Sequence, residues 1–394
     1  MTDWNQYKGD ARNSGCRRDL EGPARVTETW SADLVGSPGS PVFDRDSVYV
    51  GTDRGNCYAL ERETGRRRWV VETTAATDAT PIVSGDRLYL GTDEGTVYAL
   101  DTATGEQRWH VELPAEFTAA GLAFSNDCLY VGHADGLIAL ETETGTELWS
   151  HETESAVVDR PAIADGREQV RGRDPIDTQQ EPTHLGSTRL EDRDADHRWR
   201  SERVFVGTDY GSVRALEAET GEEAWSAPTD GTVAAGPTVA EGRVYVADDD
   251  GTMLALDGGT GQTWFTYEIR GGFTTSPTVL AAAETTFVGA TDGYCHVTDT
   301  TVGKRKLRGW LFSRKGIELD GPVRSCPVVV GNVLCVGDAS GSLYGIDADE
   351  PDLLWYASLE AAVVSTPAVA PGRLYVGSED GTLHCLAWDD DPSR

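Results

Sequence analysis

The feature that most limits what this chain can fold into is a repeat of about forty residues that runs along nearly all of it. Each copy holds a β-branched, aromatic run followed by an acidic turn that ends in glycine. Anchored on that glycine, the copies fall at Gly55, Gly95, Gly136, Gly211, Gly251, Gly293, Gly341 and Gly381. The intervals are 40, 41, 75, 40, 42, 48 and 40 residues, so there are eight copies and one interval carries a large insertion. A period of this length marks a solenoid, a propeller or an array.

Strand chemistry within the copies selects among these. A first short strand follows Pro41, Pro81, Pro161, Pro237, Pro277, Pro327 and Pro367, with Leu122 in that place in the third copy. The second strand reads SVYVG, RLYLG, CLYVG, RVFVG, RVYVA, TTFVG, VLCVG or RLYVG, a continuous apolar run of the kind that is buried on both faces. The turn glycine supplies the positive φ of a tight hairpin, a third strand (CYAL, VYAL, MLAL, LYGI) follows, and a fourth carries tryptophan. Four short antiparallel strands in about forty residues make a propeller blade. The expected fold is all-β: one eight-bladed β-propeller over residues 1–394, with a polar insertion at 166–201 in blade four.

Ring closure follows from counting fourth strands. Trp69, Trp109, Trp149, Trp225, Trp264, Trp310 and Trp355 end seven copies, while the eighth stops after its third strand. A spare strand of the right kind, VTETWSADL with Trp30, lies near the amino terminus and is expected to complete the last blade. That removes the open edge an unfinished blade would present. These eight tryptophans are expected to pack between blades, since each ring buries about 150–250 Å².

The segment ALDTATGEQRW, Ala99 to Trp109, resembles the tryptophan-docking repeat A-x-D-x-x-T-G-x-x-x-W of the pyrroloquinoline-quinone (PQQ) type propellers, a family with BamB-like members. Ala59 to Trp69, Ala139 to Trp149 and Ala215 to Trp225 match with Glu for Asp; the copy from Ala255 to Trp264 is one residue shorter. Copies six and seven depart, the latter putting Glu350-Pro351 where Thr-Gly stands elsewhere, and WNQYKGDARNSG, Trp4 to Gly15, resembles the segment preceding blade one in that family. The resemblance implies a propeller with one of two uses: a quinoprotein dehydrogenase holding PQQ and calcium, or a cofactor-free scaffold that binds proteins. The alcohol-oxidising members carry a disulfide between adjacent cysteines, whereas here the nearest pair, Cys326 and Cys335, is nine residues apart. No calcium ligand set can be placed residue by residue.

Composition narrows the partners. With 34 Lys plus Arg against 66 Asp plus Glu, the formal charge is −32, which repels phosphate backbones and anionic lipid. Such acidity resembles that of proteins from salt-accumulating archaea. The seven scattered cysteines form no C-x-x-C pair, and neither a signal peptide nor an apolar run of membrane-spanning length is visible, so a soluble, reduced, cytoplasmic monomer is expected. No P-loop, H-E-x-x-H or G-x-S-x-G motif nominates a catalytic residue.

Acidic turn residues Asp53, Asp93, Asp135, Asp209, Asp249, Asp292, Asp338 and Asp380 are expected to bond their own turns rather than form a cation-binding rim. Asp192, Asp194 and Asp196 alternate as at the start of a calcium loop, but His197 and Arg203 stand where Gly and Glu are needed. The candidate partner strip is KRKLRGWLFSRK on the outer strand of blade six, with Lys304, Arg305, Lys306, Arg308, Arg314 and Lys315. Three of the four lysines fall there, a basic patch suited to an acidic protein partner. The expected function is a non-catalytic scaffold or binding protein. The alternatives are a PQQ-dependent oxidoreductase and a binder of a small molecule or glycan in the central channel.

Overall fold

The structure is a computed structural model that describes residues 4–73, 75–77, 79–113, 121–166, 199, 201–306 and 316–388. Eight antiparallel sheets follow one another along the chain. Blade one consists of Val42–Phe43, Ser47–Gly51, Asn56–Glu61 and Arg67–Glu72, paired in sequence order. Every later blade repeats that order up to the last.

Burial follows strand chemistry. The uncharged run Ser47–Gly51 is buried at every residue, whereas Arg67–Glu72 buries Trp69 and leaves its charged residues exposed. The second strands are therefore the middle of each layer and the charged fourth strands its outer edge.

The last blade is assembled from both ends of the chain. Thr27–Asp33 pairs antiparallel with Thr382–Ala387, placing Trp30 opposite Cys385, and the sheet continues through Arg373–Gly377 to Ala368–Ala370. The eight-bladed ring and its closure by the amino-terminal strand thus stand as the repeat arithmetic requires.

Blades are joined by aromatic side chains laid over the third-to-fourth strand turn of the next blade. A Cβ added at Gly65 would come within 2.5 Å of the Trp30 ring, and Gly65 has φ 69°, so this turn needs glycine for both clearance and backbone conformation. The indole N–H groups of Trp30, Trp69, Trp109, Trp149 and Trp225 donate to the carbonyls of Arg62, Thr102, Thr142, Ala218 and Gly258, at 2.9–3.1 Å. At the seam where the turn is interrupted by the chain ends, Trp355 donates instead to the Pro23 carbonyl at 2.8 Å.

Blade five corrects the sequence reading. In blades one to four the residue four places after the turn glycine is tryptophan and sits opposite Ala59, Ala99, Ala139 or Ala215. The same ladder count in blade five puts Phe265, not Trp264, opposite Ala255. Phe265 is the ring packed on the next turn, at Gly303, while Trp264 is 50% exposed. The missing residue before Trp264 shifts the indole one position, and a one-residue shift in a strand changes the face on which a side chain lies. Trp264 still reaches blade six, donating to the Thr301 carbonyl at 3.0 Å. Trp310 lies outside the described residues.

No helix of the structure, among the described residues, is long and apolar enough to cross a membrane.

Candidate functional site: the channel and the seam of blades five and six

Inner strands leave backbone N–H groups facing the propeller axis, and a buried donor needs a partner. The chain provides it from its own amino-terminal segment. Carbonyls of Trp4, Asn5, Ala11, Arg12 and Gly15 accept the N–H groups of Phe43, Val83, Ile163, Val239 and Val329, at 2.6–2.9 Å. Each of these donors lies two residues after the proline that opens its blade. In blade three, where Leu122 replaces proline, the Gln6 amide fills the role: Oε1 accepts from the Phe124 N–H at 3.0 Å and Nε2 donates to its carbonyl at 3.2 Å. Cys16–Arg17 then adds a short parallel strand inside blade seven, against Val329–Val330.

The segment therefore circles the inner strands from blade one to blade seven before completing blade eight. Its middle reaches across the ring. Lys8 donates to the Pro277 carbonyl of blade six at 2.7 Å, and the Tyr7 hydroxyl donates to Cys326 Sγ of blade seven at 2.7 Å. The Arg160 guanidinium lies 4.3 Å from the centre of the Tyr7 ring and is bound to Asp159 at 2.5 Å. Asn13, at φ 56°, donates to the carbonyls of both Pro161 and Pro237. Trp4, Gln6, Tyr7, Lys8 and Asn13 are all buried.

Burial of Lys8 lowers its pKa from 10.5 to about 8. Desolvation opposes the charged ammonium, and nearby thiol and carboxyl groups offset this only in part. Between pH 8 and 10.5 the folded protein has shed this proton and the unfolded chain has not, so stability attributable to Lys8 rises with pH in that window. We expect the unfolding free energy of the wild type, relative to Lys8→Met, to grow by about 2 kcal/mol from pH 8 to pH 10. Denaturant titrations of both proteins at the two pH values measure it; a difference that stays constant contradicts the assignment.

The sequence resemblance implies calcium beside PQQ, and the metal half of that pair can be compared with the side chains present. Among the described residues no group of three or more His, Cys, Asp or Glu side chains is placed to hold a metal ion. The acidic turns are not in register as a rim either. Asp338 stands three places before its glycine, is fully buried, and accepts from Ser340, Ser342 and Gly321 N–H groups and from the Tyr344 hydroxyl. Asp53 instead stands two places before its glycine and accepts from the Ser37 N–H at 2.8 Å, while Asp380 stands one place before and accepts from Ser378 Oγ. Their oxygens serve local backbone and hydroxyl donors. Asp192, Asp194 and Asp196 lie outside the described residues.

The partner strip is described only at its start. Lys304 is exposed; Arg305 donates to the Tyr267 hydroxyl at 3.1 Å; Lys306 Nζ donates to the Ala283 carbonyl and Thr285 Oγ1 of its own blade. Arg308, Arg314 and Lys315 lie outside the described residues, as do 167–198 and 200 of the blade-four insertion. Among the described residues, the outer strand of blade six pairs through Arg305 opposite Thr298 and through Ile317–Glu318 against Tyr294 and Cys295.

Next to Lys304 the structure adds what the sequence reading missed. Arg243 stacks over the half-exposed Trp264 ring at 4.2 Å and donates to the Thr300 carbonyl at 3.1 Å. Val302, at the tip of the same turn, is 56% exposed. Trp264 and Arg243 of blade five are thus tied through the Thr301 and Thr300 carbonyls to the blade-six turn that carries the exposed Val302 and Lys304. The signal available in the sequence was the short count from Gly261 to Trp264. A second omission is Trp199, at the end of the insertion: it is buried against Phe205 with ring centres 5.9 Å apart and anchors the return into blade four.

A profile of the family described as outer membrane protein assembly factor BamB matches residues 23–119, 93–202 and 183–390. Among solved structures, BamB from Moraxella catarrhalis is 21% identical over 94% of this chain and 99% of that one, with a TM-score of 0.68. The quinohemoprotein alcohol dehydrogenase from Comamonas testosteroni is 15% identical, covering 100% of this chain and 82% of that one, with a TM-score of 0.72. A europium-containing methanol dehydrogenase is also 15% identical, over 98% of each chain, with a TM-score of 0.71. At these identities the likeness is one of fold. No curated protein matches the sequence.

Proposed function

Because this chain belongs to the family described as outer membrane protein assembly factor BamB, we propose that it is a non-catalytic scaffold that binds a protein partner on its outer surface. The observation that carries this reading is the seam of blades five and six. Exposed aromatic surface under a fixed guanidinium, tied to the turn that carries Lys304, is the composition of an interface anchor, and on a chain of net charge −32 it favours an acidic partner segment. Trp264 and Val302 supply apolar contact, Arg243 holds the indole in place, and Lys304 supplies long-range attraction.

The amino-terminal segment supports the same reading from the other side. It engages the axis-facing hydrogen bonds that a small molecule in the channel would use, so binding there competes with the chain's own residues.

Replacing Trp264 and Lys304 together by Ser is expected to lower partner recovery in affinity capture by about tenfold, consistent with the weight that aromatic and charged anchors carry in interfaces. Circular dichroism should be unchanged, because neither side chain belongs to the buried core. Capture that is equal for variant and wild type would remove the seam from the account.

A further inference from the structure

We infer that the outer strand of blade seven, Leu353–Ser358, is a docking edge for an extended segment of a partner chain that carries alternating apolar residues and Lys or Arg at its ends. The inference goes beyond the seam and stands if the seam fails. Every propeller blade has an outer edge with backbone donors and acceptors open to pairing, and proteins guard such edges with charge. The guard is in place on blades one to three, whose outer strands read RRWVVE, QRWHVE and ELWSHE. Blade seven reads LLWYAS and has no charged residue. Trp355 turns inward, while Leu353, Leu354 and Tyr356 are 59%, 42% and 50% exposed. Six strand residues span about 20 Å, enough to pair a short extended peptide.

Charge fixes the kind of occupant. From Ser325 to Gly372 the sequence has no Lys or Arg, while Asp349, Glu350 and Asp352 lie exposed before the strand and Glu360 after it. An apolar edge framed by carboxylates at both ends matches a strand with cationic flanks. It disfavours a second copy of this chain. Antiparallel self-pairing would set the turn holding Asp349 to Asp352 against Glu360, and parallel pairing would set that turn beside itself, with a net charge of −32 on each copy.

The probe is a fluorescent peptide with a Thr-Val alternation between two Lys pairs, compared with the same core between Asp pairs and with a Pro-interrupted version. The wild type should bind the Lys-flanked peptide at least about tenfold more tightly than either control, and the interrupted peptide should fail because Pro removes a ladder donor. Leu354→Lys with Tyr356→Lys should abolish binding, as should Leu353→Lys alone, while Val70→Lys on blade one should leave it unchanged. Equal binding of the interrupted peptide, or binding that survives both edge variants, overturns the inference. So does a wild type that sediments as a dimer and becomes monomeric on Leu354→Lys, since the edge would then serve self-association.

Discussion

A chain lacking residues 1–17 is expected to melt roughly 6–18 °C below the full chain. Five inner-strand N–H groups, on Phe43, Val83, Ile163, Val239 and Val329, lose their carbonyl partners together. A buried donor left unpaired costs about 1–3 kcal/mol, which sets the loss at roughly 5–15 kcal/mol. Converted through an unfolding entropy of about 2 cal/mol/K per residue over 394 residues, each kcal/mol moves the midpoint by a little over about 1 °C. Water entering the emptied channel pulls the value toward the smaller end. Calorimetry gives the midpoint, and hydrogen exchange gives the location: protection should fall at those five amides and persist in the second strands. A truncated chain with the full melting temperature would mean that the segment adds nothing to the ring.

The second large effect separates two neighbouring aromatics. Trp225→Ala and Phe265→Ala should each cost about 3–5 kcal/mol, the range for emptying a large buried ring. Trp264→Ala should cost about 1 kcal/mol or less, because half of that ring already faces water. Sequence alignment of the repeat ranks them the other way, with Trp264 as the docking residue. Urea titration of the three variants decides between the two, and a Trp264 loss equal to that of Trp225 would contradict the register shift.

That pair also shows where the sequence could be read and where it could not. Eight blades were legible because the pattern is local: a proline, a run such as RLYLG, and a glycine turn recur at a spacing that only a blade satisfies. Closure was legible because Trp30 was a fourth strand with no blade of its own. The docking position in blade five was not, since tryptophan identity outweighed the count from Gly261, and register is what sets the buried face. The path of residues 4–17 left even less trace. Trp4, Gln6, Tyr7, Lys8 and Asn13 form no period, and their partners lie 39 to 319 residues away in blades one to seven. For the acidic turns the expectation of local bonding was legible, and Asp53, Asp338 and Asp380 accept from nearby backbone and hydroxyl donors; what composition did not show is that they stand at three different offsets from their glycines.

If binding lies on the outer surface and the channel belongs to the chain's own segment, one paired measurement separates this arrangement most directly from a quinone enzyme. Wild type and Trp264→Ser/Lys304→Ser are titrated with PQQ and calcium under equilibrium dialysis, with dye-linked turnover assayed in parallel, and both are used as bait for the protein partner. A scaffold shows no saturable quinone binding and no turnover in either, with partner recovery reduced about tenfold in the variant. Stoichiometric PQQ binding with turnover, together with capture that the variant leaves unchanged, would contradict it.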